Sequence, residues 1–171
     1  SNRVDNDYLK KSFNESISRN HSSSVTHLLW AQEGIDEVDI KSILKMISKN
    51  TLDYISTSDQ SIEVNVSGDN FSVNSDKATS IALVVNELIQ NSIEHGFKDR
   101  DHGYIEIIIY KGEIHSTISV EDDGSGFNVK DIKNNSLGLN IVEQIVKDKL
   151  EGDFIIDSGK EGTKIVFDFK N

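Results

Sequence analysis

Apolar residues recur at a three- and four-residue spacing in four parts of the chain, and each part is predicted to be a helix. The first, residues 4–32, has a stripe too sparse for a domain core, so we expect it to pack on another helix. The second begins after Asp36 or Asp39, either of which can cap it. The core-forming stripes of the last three helices are Ile40, Ile43, Leu44, Ile47, Leu52 and Ile55; Ala78, Ile81, Ala82, Val85, Leu88, Ile89 and Ser92; and Leu139, Ile141, Val142, Ile145 and Val146.

Alternating apolar and polar residues predict five strands. The order along the chain is two helices, a strand, a helix, two strands, a loop, a helix and two strands. This order indicates an α+β fold in which helices cover one face of a mixed, mostly antiparallel sheet. The strands are residues 61–67, 104–110, 114–121, 154–156 and 163–169, with hairpin turns at Lys111-Gly112 and residues 158–162.

The composition narrows the class of protein. A chain of 171 residues with 36% hydrophobic content is long enough for one domain plus an extension. Its formal net charge of -11 argues against nucleic acid as a partner, because that affinity comes from clustered Lys and Arg. The absence of cysteine excludes disulfides and thiolate metal sites. No run of about 18 apolar residues is present, so we expect a cytoplasmic segment without membrane contact, whether or not its parent protein is membrane-anchored.

The third predicted helix carries two oxygen donors beside its apolar stripe. Glu87 and Asn91 are four residues apart, so they share one edge of the helix. Such groups suit a hard cation and a water molecule, although a polar rim on an amphipathic helix explains them equally well. Asn86 lies one position away from that edge and is expected to be structural.

Glycines and acids cluster where the third predicted strand ends, at residues 121–127. A buried Asp122 can accept a hydrogen bond from an exocyclic amine such as that of adenine, while Gly124 and Gly126 allow a flat ligand to approach the backbone. An ordinary turn is the alternative. The spacing fits neither a dinucleotide fold nor a P-loop nor an EF-hand.

Two further segments have the composition of ligand-binding loops. Residues 134–139 lead into the fourth helix, and the free N–H groups of such a helix start can bind phosphate. A capped helix without a ligand is the alternative. Thr163, at the last hairpin, gains interest if it faces Asp122. The histidines show no ligand pair with a supporting acid, which argues against zinc.

In this order, the stretches NELIQNSIEHGF, EDDGSGF, SLGLNIV and SGKEGTKIVFDF resemble the N, G1, G2 and last glycine boxes of the histidine-kinase-like ATPase superfamily. The chain is most similar to bacterial sensor histidine kinases over about residues 38–169. The resemblance implies a two-layer α/β sandwich over residues 38–171 that binds ATP between helices and sheet, under a flexible lid. Residues 1–35 resemble the second helix of a dimerisation and phosphoacceptor hairpin.

The resemblance also implies roles for individual residues. Asn91 would bind Mg2+, and Glu87 would orient a metal-bound water or the attacking group. Asp122 would accept from the adenine amine, with Gly124 and Gly126 making room for the ring. Other implied contacts of the nucleotide are Ser136, Leu137, Gly138 and Leu139 at the phosphates, Thr163 beside adenine, His95 near the ribose or phosphates, and Lys130 and Lys133 in a lid of residues 128–135.

The function implied is that of the ATP-binding catalytic domain of a two-component sensor histidine kinase. It would transfer the γ-phosphoryl of ATP to a histidine that this chain lacks, for relay to a response regulator, and the parent would dimerise through the N-terminal helix. His21 does not match the phosphoacceptor's position, and Glu94 departs from the basic residue often found in kinases. The alternatives are a serine protein kinase of the anti-sigma-factor type and a catalytically degenerate scaffold.

Overall fold

A computed structural model of the chain describes residues 36–132 and 137–171. The helix predicted over residues 4–32, Lys133 and Ser136 lie outside the described residues. The helices are α1 (Ile40–Ile55), α2 (Ser75–Asn91), α3 (Val129–Ile132) and α4 (Leu137–Asp148). Of the two predicted caps of α1, Asp39 is the one used: its Oδ1 accepts from the Ser42 N–H at 2.7 Å. Hydrogen bonds from Ser42, foremost from its side chain, hold the pKa of Asp39 below its usual value.

The strands are β1 (Glu37–Asp39), β2 (Ser61–Gly68), β3 (Ser72–Asn74), β4 (His102–Tyr110), β5 (His115–Asp122), β6 (Phe154–Gly159) and β7 (Gly162–Lys170). The five predicted strands form one sheet in the order β2-β4-β5-β7-β6, in which β2 and β4 are parallel and the other neighbours are antiparallel. A separate antiparallel ribbon of two short strands, β1 and β3, was not predicted, because three residues are too short to show alternation.

The core lies between the helices and one face of the sheet. Along β4, Ile105, Ile107 and Ile109 are buried while their neighbours in the strand are more exposed, so one face of the sheet is covered. The apolar stripes of α1, α2 and α4 supply the other side of this core. The predicted α+β fold, with helices on one face of a mixed sheet, is thereby confirmed.

Asn86 is a structural residue, as its position predicted. Its side chain is 4% exposed, and its Oδ1 accepts a hydrogen bond from the Thr51 hydroxyl at 2.6 Å. This bond joins α1 to α2 inside the core, where an acceptor without a donor would cost free energy of folding. The amide therefore specifies how the two helices pack.

Helix α2 does not stop at Asn91 but continues as a π-helical turn, Ser92–Gly96. The N–H of Phe97 donates to the carbonyl of Ser92 at 2.9 Å, the five-residue reach of a π-helix. The apolar period predicts where α2 is buried but not this change of pitch. Among the helices that the structure describes, none is long and apolar enough to cross a membrane.

Candidate functional site

A cavity of about 330 Å³ lies where α2, the π-helical turn and the sheet meet. Its apolar walls come from α2, α4 and the inner face of β5 and β7, and Asp122 is the one carboxylate among the described residues that line it. This combination of an apolar slot and a single buried acceptor is typical of small-molecule sites. The lining residues are Leu88, Asn91, Ser92, His95, Gly96, Val120, Asp122, Gly126, Phe127, Leu139, Thr163 and Ile165.

Asp122 is 7% exposed and is held by donors from three segments. Its Oδ2 accepts from the Ser92 hydroxyl at 2.7 Å. Its Oδ1 accepts from the N–H of Gly124 at 2.9 Å and from that of Thr163 at 3.3 Å. Because each carboxylate oxygen has two lone-pair positions, Oδ2 can accept a further hydrogen bond from a ligand in the cavity.

The π-helical turn brings Gly96 against the glycine cluster after β5. A Cβ on Gly124 would lie 2.7 Å from the Gly96 Cα and 2.8 Å from Asp122 Oδ1. The N–H of Ser125 donates to the Gly96 carbonyl at 3.0 Å, which fixes the two backbones together. Only glycine fits at Gly124, because the π-helical turn occupies the space that a side chain needs.

Gly126 joins the same cluster to the β6–β7 hairpin. Its φ is +63°, in the left-handed region, and an added Cβ would lie 1.8 Å from the carbonyl oxygen of Gly159. This close contact with the hairpin is a sufficient reason for a glycine at position 126, just as the predicted need for space beside a ligand is. It also places Phe127, the next residue, at the edge of the cavity.

The predicted polar edge of α2 and the predicted phosphate-binding helix start lie next to each other. Asn91 lines the cavity, and Glu87 is half-buried one turn earlier. A Cβ on Gly138 would lie 2.1 Å from Glu87 Oε1, so the first turn of α4 passes directly over this carboxylate. The start of a helix suits an anion, because it is the positive end of the helix dipole.

The structure thus brings most of the predicted site residues together. Asn91, His95, Asp122, Gly126, Leu139 and Thr163 line the cavity. Gly124, Glu87 and Gly138 do not line it, but they contact Asp122 or each other beside it. Two other predicted residues are neither in the lining nor in these contacts: Leu137, 41% exposed at the start of α4, and Lys130, exposed on α3.

Several lining residues were not singled out by the sequence analysis. Ser92 was assigned to the buried stripe of α2, and it is buried, but its hydroxyl serves the carboxylate of Asp122. The position of Ser92, four residues after Leu88, predicts that its side chain is buried. It does not predict that the hydroxyl donates to Asp122. The remainder, Leu88, Gly96, Val120, Phe127 and Ile165, carry apolar or backbone surface that no polar motif marks.

The residues present fit an adenine nucleotide with a magnesium ion. A flat base suits the apolar walls, and Asp122 offers an acceptor for an exocyclic amine. Among residues 36–132 and 137–171, no group of three or more His, Cys, Asp or Glu side chains could hold a metal. Mg2+ takes few protein ligands and completes its octahedron with phosphate oxygens and water, and the amide oxygen of Asn91 in the lining is of the type that it binds.

Comparisons with known proteins agree with this geometry. The model of the family described as histidine kinase-, DNA gyrase B-, and HSP90-like ATPase matches residues 76–171. Over 170 residues the chain is 30% identical to the sensor histidine kinase PdtaS of Mycobacterium tuberculosis. This alignment covers 96% of the chain and 33% of that protein. The chain therefore spans about a third of the length of this relative.

Two further relatives bear on the choice of function. The solved structure of the Erythrobacter litoralis EL346 blue-light activated histidine kinase matches with a TM-score of 0.74 and 26% identity, over 92% of this chain and 49% of that one. The anti-sigma F factor of Clostridium novyi is 31% identical over 103 residues, or 53% of this chain and 69% of that protein. The matches thus include sensor histidine kinases and an anti-sigma factor.

Proposed function

Because the chain belongs to the histidine kinase-, DNA gyrase B-, and HSP90-like ATPase family, we propose that it binds Mg-ATP and is the catalytic part of a sensor histidine kinase. The observation that carries the proposal is the buried carboxylate of Asp122 in the lining of a mostly apolar slot. Three donors of the protein already hydrogen-bond this carboxylate, as a buried acid requires. The lone-pair position left on Oδ2 can accept from an adenine amine in the slot.

The proposed roles of the chain's residues follow from their chemistry. Asp122 accepts from the adenine amine and selects for that base. Asn91 supplies one amide oxygen to Mg2+, and the first turn of α4, from Leu137 to Leu139, presents backbone N–H groups to the phosphates. The metal, when bound, offsets the negative charge that develops on the transferred phosphoryl group.

The reaction we propose moves the γ-phosphoryl of ATP to a histidine nitrogen, so that a P–O bond breaks, a P–N bond forms and ADP leaves. The histidine comes from a part of the protein outside this chain. Glu87 orients the attacking group, and its proximity to Gly138 ties that orientation to the phosphate-binding turn. Positioning of this kind accounts for most of the catalysis in phosphoryl transfer.

The partners and setting are part of the same proposal. A response regulator would receive the phosphoryl group on an aspartate, and the parent protein would form a homodimer through the segment that includes residues 1–35. We also propose that this part of the protein lies in the cytoplasm, as the resemblance to sensor histidine kinases implies. We propose no nucleic-acid partner, because the net charge of -11 opposes binding to a phosphate backbone.

Titration with a non-hydrolysable ATP analogue and Mg2+ tests the first step on the chain as it stands. We expect saturable calorimetric binding to one site. The absence of any binding at millimolar nucleotide would contradict the proposal. A chain that dimerises tightly and whose melting temperature nucleotide does not change would instead favour a degenerate scaffold.

A serine protein kinase is the second candidate, and the 31% identity to an anti-sigma F factor favours it. Incubating a longer stretch of the native protein with labelled ATP separates the two. A phosphoryl group that is lost in acid and kept in base identifies phosphohistidine, as proposed. The reverse stability identifies phosphoserine and would replace the histidine kinase assignment.

The contact between Gly138 and Glu87 gives a test of the catalytic role. In Gly138→Ala, the added methyl displaces the end of the Glu87 side chain, which is flexible, so the fold should survive. We expect phosphorylation by the longer native protein to slow by about 10- to 100-fold, because small misplacements of reacting groups cost factors of this size. Binding of the ATP analogue should change far less.

Gly159→Ala is the matched control, since an added Cβ there meets nothing within 4 Å. It should phosphorylate at the parent's rate. If Gly138→Ala phosphorylates as fast as this control, Glu87 does not have the role we assign to it.

A further inference from the structure

Ser158 does not line the cavity, yet its hydroxyl joins two residues that do. We infer that Ser158 is a positioning residue for nucleotide binding, which holds the loop after Gly126 against the strand that carries Thr163. The inference deepens the proposed function and rests on it. It concerns how the loop after Gly126 and the β6–β7 hairpin are held together beside the cavity, a contact that the sequence analysis did not predict.

The hydroxyl of Ser158 is a junction of three hydrogen-bonding groups. It accepts from the N–H of Phe127 at 2.9 Å, and it lies 2.7 Å from the Thr163 hydroxyl. Ser158 and Thr163 are direct partners in the antiparallel pair β6–β7, so their side chains lie on the same face of the sheet. Phe127 belongs to a different segment, 31 residues earlier in the chain.

The contact between the two hydroxyls fixes the side chain of Thr163 in either direction of the hydrogen bond. Either hydroxyl can donate in the 2.7 Å pair, and the Ser158 hydroxyl also has the carbonyl of Gly162 as an acceptor at 3.5 Å. Thr163 lines the cavity, and its N–H donates to Asp122 Oδ1. Ser158 thus holds a polar side chain of the cavity wall beside the acceptor that Asp122 provides.

A second contact connects the same two segments, the loop after β5 and the β6–β7 hairpin. The backbone of Gly126 is pressed against the carbonyl of Gly159, the residue after Ser158, so closely that no Cβ fits between them. The N–H of Thr163 also donates to Asp122 Oδ1. Ser158 and Asp122 therefore hold Thr163 at its side chain and at its backbone. Without Ser158, both Phe127 and the Thr163 hydroxyl lose a constraint.

The test compares Ser158→Ala, which lacks the hydroxyl, with Ser158→Thr, which keeps it. In Ser158→Ala without nucleotide, we expect the Phe127 amide to exchange its hydrogen at least about 10-fold faster, as an amide does when it loses its acceptor. The Ser125 amide, bonded to Gly96, should be unchanged and reports any wider loosening. Affinity for the Mg2+ complex of an ATP analogue should fall by about 3- to 10-fold, the factor for one or two net hydrogen bonds.

Ser158→Thr should restore both measurements to within about twofold of the parent, because the junction depends on the hydroxyl alone. Ser119→Ala, on the outer face of β5, controls for losing a serine hydroxyl from a strand and should bind as the parent does. A Phe127 amide that exchanges at the parent's rate in Ser158→Ala would overturn the inference. Equal weakening of binding in Ser158→Thr and Ser158→Ala would overturn it as well.

The two proposals fail in different ways. A parent chain that binds no nucleotide contradicts the proposed function, and with it any role for Ser158 in binding. A parent that binds while Ser158→Ala binds equally well contradicts the role of Ser158 alone. The exchange of the Phe127 amide is measured without nucleotide, so it reports on the junction in either case.

Discussion

Asp122→Asn is expected to lower the affinity for Mg-ATP analogues by about 100-fold or more while the domain stays folded. The loss of a hydrogen bond to a charged acceptor costs about 1.5–3 kcal/mol, and a donor facing the ligand's amine adds to that cost. Calorimetric titration measures the affinity, and circular dichroism with thermal unfolding checks the fold. The expected loss of affinity is larger than that for Ser158→Ala.

The fold should survive because the internal hydrogen bonds of Asp122 can be kept. Two N–H groups, from Gly124 and Thr163, point at Oδ1, so the oxygen of the new amide takes that position. The NH2 group then faces the hydroxyl of Ser92, which can accept from it and donate to the Leu88 carbonyl, 3.1 Å away. The substitution changes the group that faces the ligand. Oδ2 of Asp122 accepts from the ligand, whereas the NH2 group that replaces it can only donate.

Asp123→Asn is the control for this substitution. Asp123 is the neighbouring acid and is exposed, and its Oδ1 accepts from the N–H of Tyr104 at 2.9 Å, away from the cavity lining. It should bind nucleotide within about twofold of the parent, since an exposed charge outside the cavity is screened by solvent. If both variants lose affinity equally, the effect is one of net charge and Asp122 does not contact the base.

The fold was predictable because its elements are long and strongly patterned. Residues 61–67 alternate and form β2, and the stripe from Ala78 to Ser92 is buried along α2 and the turn after it. Burial of one face requires such a pattern, so the pattern survives in the sequence. The presence of Asp122 and Asn91 at one cavity followed only from the resemblance of four motifs taken together, because a turn or a polar helix edge explains each of the two motifs by itself.

What was not predictable depends on pairings between distant segments. The π-helical turn at Ser92–Gly96 brings Gly96 against Gly124 and Ser125, and nothing within the turn encodes that contact. Ser158 reads as an ordinary turn residue until the strand pairing sets it beside Thr163. The periodicity of a sequence indicates which face of an element is buried. It does not indicate which distant segments contact each other, and these contacts are seen only in the folded chain.

Gly126→Ala is expected to lower the free energy of unfolding by about 2–5 kcal/mol, the largest effect on stability among the changes considered. A left-handed backbone costs a residue with a side chain about 1–2 kcal/mol, and forcing a methyl into filled space costs about 1–3 kcal/mol more. Here the obstruction is the carbonyl oxygen of Gly159, 1.8 Å from the new Cβ, so backbone has to move. Urea unfolding followed by circular dichroism measures the change.

Gly159→Ala is the matched variant, because the two glycines touch each other and each change adds one methyl. A Cβ on Gly159 meets nothing within 4 Å, and its φ does not lie in the left-handed region. It should change the free energy of unfolding by no more than about 0.5 kcal/mol, as a substitution into open space does. The contrast between the two variants separates the loss of a glycine in itself from the loss of the contact.

Gly126→Ala should also weaken binding of the ATP analogue, even under conditions where the variant remains folded. The backbone shift that accommodates the methyl separates the loop from the hairpin, which breaks the bond between the Phe127 N–H and Ser158. Its binding defect should therefore resemble that of Ser158→Ala and show the same faster exchange at the Phe127 amide. Unfolding midpoints that coincide for Gly126→Ala and Gly159→Ala would contradict this account. They would mean that Gly126 is not packed tightly against the β6–β7 hairpin and that this contact does not keep the nucleotide site in place.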